Sequence, residues 1–229
     1  MLTEEFANLS FFQKHVIFLG NMWYRLSTYI VGFCFMDTGP LASGLAFSGY
    51  DEKTKEPKFE KARNVNYTGL IFTDKVKNWL TCWNTSVHEW LKNYVFMRCL
   101  PSDPKKRGQG TVKASFIAFF VSAIWHGFYP GFFAFFFGAF LMDTHQKAGW
   151  KPIGQLVKGI IPDPVQSVFC TVFYYVACSY FCVSFWLLEW NKFTQVWGTI
   201  YYFWHILIPV QIVIFKLMPV KKEPKDKTN

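Results

Sequence analysis

The sequence predicts an all-α, multi-pass membrane protein made of transmembrane helices with broken or in-plane segments. Three observations carry that prediction. Apolar runs of about 20 residues recur along the chain, and a run of that length crosses a hydrocarbon core. Of the 229 residues 52% are hydrophobic, yet mean hydropathy is only +0.13, so apolar runs must alternate with charged connectors. The run from Ala114 to Met142 is interrupted by Trp125-His126-Gly127-Phe128-Tyr129-Pro130-Gly131, an imidazole set among helix breakers. An ionisable group at membrane depth is costly and marks a candidate functional site.

The elements follow in order. Phe11 to Phe35 reads as a span weakened by Lys14, His15 and Arg25. It follows Glu4 and Glu5 rather than a basic segment, which is not the pattern of a signal peptide. Asp37 to Thr68 reads as a polar connector, with Gly39, Pro40, Gly44 and Gly49 ahead of a solvated mixed-charge run, Asp51 to Arg63. Thr73 and Asp74 read as a helix start. Val76, Leu80, Trp83, Val87, Leu91, Tyr94 and Val95 then keep a three-to-four spacing, which predicts one amphipathic helix from Asp74 to Arg98. Pro101, Asp103, Pro104, Gly108 and Gly110 end it in a basic loop. The break at His126 to Gly131 divides the next run into two arms of about 13 residues, roughly 20 Å each. Val165 to Trp190 is the cleanest span, with no charge before Glu189, and Val196 to Met218 is the next.

Charge sets the orientation. The net charge of +9 concentrates in a tail (Lys216, Lys221, Lys222, Lys225, Lys227) and in a short loop (Arg98, Lys105, Lys106, Arg107, Lys113). Such clusters flank spans on the cytosolic side, near anionic lipid. No zinc module, RNP motif or basic helix accompanies them, so nucleic acid is not an expected partner. With the tail cytosolic, the loop Asp143–Pro164 is cytosolic too. The basic loop near Lys105 shares that side only if Ala114–Met142 goes in and comes back, turning at His126 to Gly131. The final Lys225-Asp226-Lys227-Thr228-Asn229 resembles the K-x-K-x-x address of endoplasmic-reticulum membrane proteins. The six cysteines form no C-x-x-C pair, so no metal and no cofactor is expected.

Two polar groups stand out within apolar surroundings. On the predicted helix, Asn84 shares a face with Val87, His88, Leu91 and Val95, where an amide without partners costs a few kcal/mol. The alternative is that Asn84 caps or ties down backbone. His126 lies beside Gly127, which permits close backbone approach, and Pro130-Gly131, which frees backbone groups to line a cavity. A neutral imidazole, with an ordinary pKa near ~6.5, accepts a hydroxyl proton at neutral pH. His88 sits one turn from Asn84; Glu89 falls off that face. His205 reads as a packing histidine bonded to a carbonyl. Acyl transfer to an alcohol needs little more: a base, a donor for the developing oxyanion, and exclusion of water. The sequence holds no G-x-S-x-G elbow, P-loop, H-E-x-x-H or Rossmann fingerprint to suggest another chemistry.

The segment W-N-T-S-V-H-E-W-L-K-N-Y-V-F-M-R, Trp83 to Arg98, resembles the Asn-containing motif of the membrane-bound O-acyltransferase family. S-A-I-W-H-G-F-Y-P-G-F-F, Ser122 to Phe133, resembles its His-containing motif. The W-H-G-x-Y-P-G form is similar to the lysophospholipid acyltransferase branch; sterol and diacylglycerol acyltransferases typically carry F-H-E there. The resemblance implies a multi-pass endoplasmic-reticulum enzyme whose helices surround an intramembrane tunnel, with a cytosolic C-terminus. It would move a fatty acyl group from acyl-CoA to a lysophospholipid within membrane lipid. His126 takes the family's His role and Asn84 its Asn role, with Trp83, His88, Trp125 and Tyr129 as substrate-binding neighbours. Full members are about twice this length, so residues 1–229 are expected to be the C-terminal half of the domain, with 219–229 as the basic tail. Another acceptor (a sterol, diacylglycerol or protein) and an inactive membrane fragment are the competing readings.

Overall fold

A computed structural model describes residues 1–219. The tail lysines Lys221, Lys222, Lys225 and Lys227, and with them the K-x-K-x-x end, lie outside the described residues. A short α1 (Glu4–Ala7) is capped by Thr3, whose hydroxyl accepts from Phe6 N. Ser10 and Gln13 then form a capping box that starts α2 (Phe11–Ala42). This helix runs 32 residues, straight through Gly39 and Pro40, so the expected connector begins six residues late. Pro40 is tolerated because it sits in the last turn, where Ser43 N and Ala46 N close on Gly39 O and Pro40 O.

The mixed-charge run is solvated as expected, but it folds as a hairpin rather than an irregular loop. Strands β1 (Gly49–Tyr50) and β2 (Pro57–Lys58) pair antiparallel in the register Gly49↔Lys58. Asp51 closes it: the carboxylate receives Lys58 Nζ at 2.8 Å and the N–H groups of Thr54 and Lys53. The lysine first, then those N–H groups, hold the Asp51 pKa down to about 2.

The helix expected over Asp74–Arg98 is in pieces. Beyond α3 (Tyr67–Ile71) come α4 (Val76–Cys82) and α5 (Thr85–Leu91), then a π-helical turn, Lys92–Phe96, and the short α6 (Met97–Cys99). The break falls at Trp83-Asn84, because segment 63–66 takes over the backbone groups there. Asn66 N donates to Cys82 O at 2.9 Å, Thr85 N donates to Asn64 O at 2.9 Å, and the Thr85 hydroxyl donates to Arg63 O.

Helices α7 (Arg107–His126) and α8 (Pro130–Val157) turn back on each other through Gly127–Tyr129. They pack antiparallel, as Phe116–Phe140 (5.4 Å between ring centroids) and Phe120–Phe133 (5.7 Å) show. The turn is where the sequence predicts it, but the arms have 20 and 28 residues rather than about 13. Helix α8 extends through the supposed loop 143–157 because its polar residues have helical or neighbouring partners. Asp143 pairs with Lys147 at 2.5 Å, one turn on. Gln146 accepts from Val76 N at 2.8 Å and donates to Asp74 O at 2.6 Å, anchoring α4.

By itself, α9 (Asp163–Leu187) is the one helix among the described residues long and apolar enough to cross a membrane. The last expected span is bent: α10 (Trp190–Gly198) and α11 (Phe203–Leu217) pass that test only together, at 75° to one another. Tyr201 and Tyr202 make the bend with φ of 55° and 52°, and Tyr202 N returns to Trp197 O. Tyr180, Phe181, Phe193 and Ile208 fill the centre where α8, α9, α10 and α11 meet. The described residues are therefore mostly helical, with almost no sheet, around one core.

Candidate active site

Asn84 stands at the α4–α5 break in the left-handed conformation, φ 46° and ψ 58°. Among non-glycine residues asparagine tolerates that region best. Its carbonyl accepts from His88 N at 2.9 Å and starts α5, but its side chain caps nothing. The expectation that Asn84 lies on the face of a continuous helix is thus corrected. The amide is half-buried and has no hydrogen-bond partner among the described residues.

His126 ends α7, and Gly127 releases the chain with φ 123°. The imidazole meets three rings: Phe136 at 5.1 Å, Phe185 at 5.2 Å and Phe132 at 5.6 Å. Neither ring nitrogen has a hydrogen-bond partner among the described residues. Other histidines of the fold differ. His15 donates from Nδ1 to Phe11 O and accepts from Trp204 Nε1. His145 bonds Tyr174 through Nδ1 and Gln211 through Nε2. Those two are buried, satisfied packing residues, whereas His126 is exposed at the surface of the described chain with both nitrogens open.

The expected neighbours divide between the two motifs and join them. Trp125, largely exposed, lies 5.6 Å from Trp90 of α5, which sets the His motif against the Asn motif. Trp83 is gripped edge-on by Phe33 (5.2 Å) and Tyr29 (6.0 Å) of α2. Tyr129 precedes α8 and meets Phe132 edge-on at 6.2 Å. His88 lies on α5, half-buried, with no hydrogen-bonded side-chain partner among the described residues. No hydrogen bond or ring contact joins Asn84 to His126 directly; a relay of rings links their neighbourhoods. Tyr29 stacks on Trp186 at 5.8 Å, Trp186 meets Phe185 at 5.0 Å, and Phe185 meets His126.

Sequence reasoning missed this relay. Arg25, taken only as an interruption of the first span, holds its guanidinium 5.4 Å over the Trp186 ring. Trp186 Nε1 is buried without a partner among the described residues. The signal was present in Arg25 itself, a cation in an apolar run; the aromatics of α9 gave none. Among the described residues no cluster of His, Cys, Asp or Glu is arranged to hold a metal ion.

Residues 1–186 match the membrane-bound O-acyltransferase family, a stretch that contains both motifs. The chain belongs to that family. Its curated relatives include the lysophospholipid acyltransferase of Saccharomyces cerevisiae, 27% identical over 220 residues, which cover 93% of this chain and 35% of the relative. Lysophospholipid acyltransferase 1 of Arabidopsis thaliana is 32% identical over 193 residues, 82% of this chain and 40% of the relative. Membrane-bound glycerophospholipid O-acyltransferase 2 of Rattus norvegicus is 28% identical over 190 residues, 81% and 33% respectively. The chain spans less than half the length of the curated relatives it matches.

Proposed function

We propose that this chain is part of an enzyme that transfers a fatty acyl group from acyl-CoA to the free hydroxyl of a lysophospholipid in the endoplasmic-reticulum membrane. One observation carries the reading. His126 sits in a ring-lined site with both nitrogens unclaimed, in a chain whose relatives are named lysophospholipid acyltransferases. In the reaction, His126 takes the hydroxyl proton as the alcohol oxygen attacks the thioester carbonyl. The carbonyl electrons pass to the oxyanion, which the Asn84 amide steadies as donor. The intermediate collapses, the C–S bond breaks, and the proton held on His126 goes to the departing CoA sulfur. Atoms balance, and no serine acyl-enzyme is needed. The Phe132, Phe136 and Phe185 rings pack against the imidazole, whose remaining surface is exposed in the described chain and open to the reacting groups.

The test replaces His126 by Ala in the full-length context, with labelled oleoyl-CoA and lysophosphatidylcholine. Loss of about 10²–10⁴-fold in turnover at unchanged protein level is the expected result. Near-normal turnover sinks the assignment. Sterol, diacylglycerol and peptide acceptors in the same assay decide among the family's chemistries, and an inactive fragment would show no activity with any of them.

A further inference from the structure

A second cavity lies on the other face of α8 from His126. Phe132 and Phe136 look toward His126, while Phe133, Ala134 and Phe137 form one wall of this cavity, of about 510 Å³. Its floor is Phe193 and Trp197, both almost fully buried. Phe128 and Trp190, both largely exposed, stand at its mouth. The size is within the range of small-molecule sites, about 300–1,000 Å³. Among the lining residues one is titratable, His205.

The hydrogen bonding of His205 departs from the sequence expectation: its partner is the Tyr180 hydroxyl, at 2.7 Å from Nδ1, not a carbonyl. Tyr180 is fully buried, and that contact is the only one its hydroxyl makes among the described residues. A buried hydroxyl proton must be donated somewhere, so Tyr180 donates to Nδ1. The tautomer follows: the proton of His205 is on Nε2. Nothing among the described residues accepts it. His145 makes the comparison plain. It too has a tyrosine on Nδ1, Tyr174, and there Nε2 donates to Gln211 Oε1 at 3.0 Å. At His205 the place of Gln211 falls to the cavity.

We propose that this cavity binds the acyl-ester end of a lipid, its hydrocarbon against Phe133, Phe137 and Trp197 and its ester carbonyl accepting from His205 Nε2. The chemistry selects a neutral ester over a fatty-acid carboxylate. No cation lines the cavity, and a buried carboxylate without one is costly. Tyr180 is a positioning residue, since it fixes which nitrogen carries the proton. The site adjoins the turn after His126 through Phe128 and Pro130, does not include His126 itself, and does not depend on the acceptor proposed above.

The test uses the whole chain in lipid nanodiscs with two photoreactive probes of equal length, a diazirine-bearing fatty acid methyl ester and the matching alkane, which has no acceptor. Labelled peptides are mapped by mass spectrometry. The ester should label residues 128–137 and 190–205 about five-fold more than the alkane, the worth of one ordinary hydrogen bond. His205→Phe should abolish that preference while leaving alkane labelling unchanged. Tyr180→Phe should weaken it, and His205→Gln, which keeps a donor, should retain part of it. Methyl oleate should compete better than oleic acid. Equal labelling by ester and alkane in the unaltered protein, a comparison that needs no variant to fold, overturns the proposal and leaves the groove to ordinary annular lipid. A preference that survives in a folded His205→Phe, or better competition by oleic acid, overturns it as well.

Discussion

Asn84 combines two demands that a substitution can separate. Its backbone holds φ 46°, which an alanine adopts at a cost of roughly 1–2 kcal/mol and a glycine at none. Its side chain is the oxyanion donor in the proposed mechanism, a role typically worth about 10²–10³ in rate. Asn84→Gly should therefore fold as well as the parent and still lose that activity. Asn84→Ala should lose activity and also unfold at lower temperature. Asn84→Asp should keep the turn but not the rate, because a carboxylate repels the developing charge. Turnover and thermal unfolding measured on all three check this, and an active glycine variant would assign Asn84 to backbone geometry alone. The sequence showed that Asn84 was out of place on an apolar surface, but not that it ends a helix. Trp83-Asn84-Thr85 contains neither Gly nor Pro, and the three-to-four spacing of Val76, Leu80, Trp83 and Val87 continues across the break. The force that opens it comes from Asn64 and Asn66, distant in the chain and without a pattern of their own.

Among the elements, the α7–α8 turn was the most legible, because Gly127 and Pro130 break a helix locally. The length of α8 was not legible. Asp143, His145 and Gln146 look like a loop until their partners Lys147, Tyr174 and Val76 are in place. The bend between α10 and α11 was missed for a similar reason, since two tyrosines carry its positive φ in place of glycine. The start of α8 is fixed by Gly131, whose N–H donates to Leu188 O at 2.8 Å. A Cβ there would stand 2.1 Å from Ser184 O and 2.7 Å from Leu188 Cα, both backbone atoms. Gly131→Ala must push α8 away from the end of α9 and should cost about 1–3 kcal/mol, as overpacking does. Gly154, inside the same helix with open space around it, is the control. Gly154→Ala should be neutral or stabilise by up to about 1 kcal/mol. Unfolding midpoints in detergent that fail to separate the two variants would refute the close seat of α8 on α9.

For the molecule as a whole, the hairpin of α7 and α8 brings the loop at Lys105 and the loop after Val157 to one side, the turn at Phe128 to the other. In the topology expected from the sequence, the positive-inside rule would place the two basic loops in the cytosol. Single cysteines at Lys106 and Lys158, in a background without native cysteines, should react with an impermeant maleimide in sealed right-side-out reticulum vesicles, whereas a cysteine at Phe128 should react only after the lumen is opened. A Lys106 and Lys158 pair with opposite accessibility would show that the two helices do not form a hairpin in the bilayer.

The contact that joins the two ends of this fold bears on how the protein is made. Lys14 is buried, and its ammonium donates to Ala7 O at 2.8 Å and, 185 positions away in sequence, to Thr199 O at 3.0 Å. His15 meets Trp204 next to it, and Phe11 meets Phe203. At roughly 5–20 residues per second of synthesis, α2 leaves the ribosome some ten to forty seconds before these partners exist. Throughout that interval a lysine and a histidine destined for the interior have only half their ligands. Helix α2 thus reaches its final packing only when α10 and α11 arrive. A stop codon ahead of Thr199 should leave Lys14 and His15 of α2 without these partners at any time, and the truncated chain should be less stable for it.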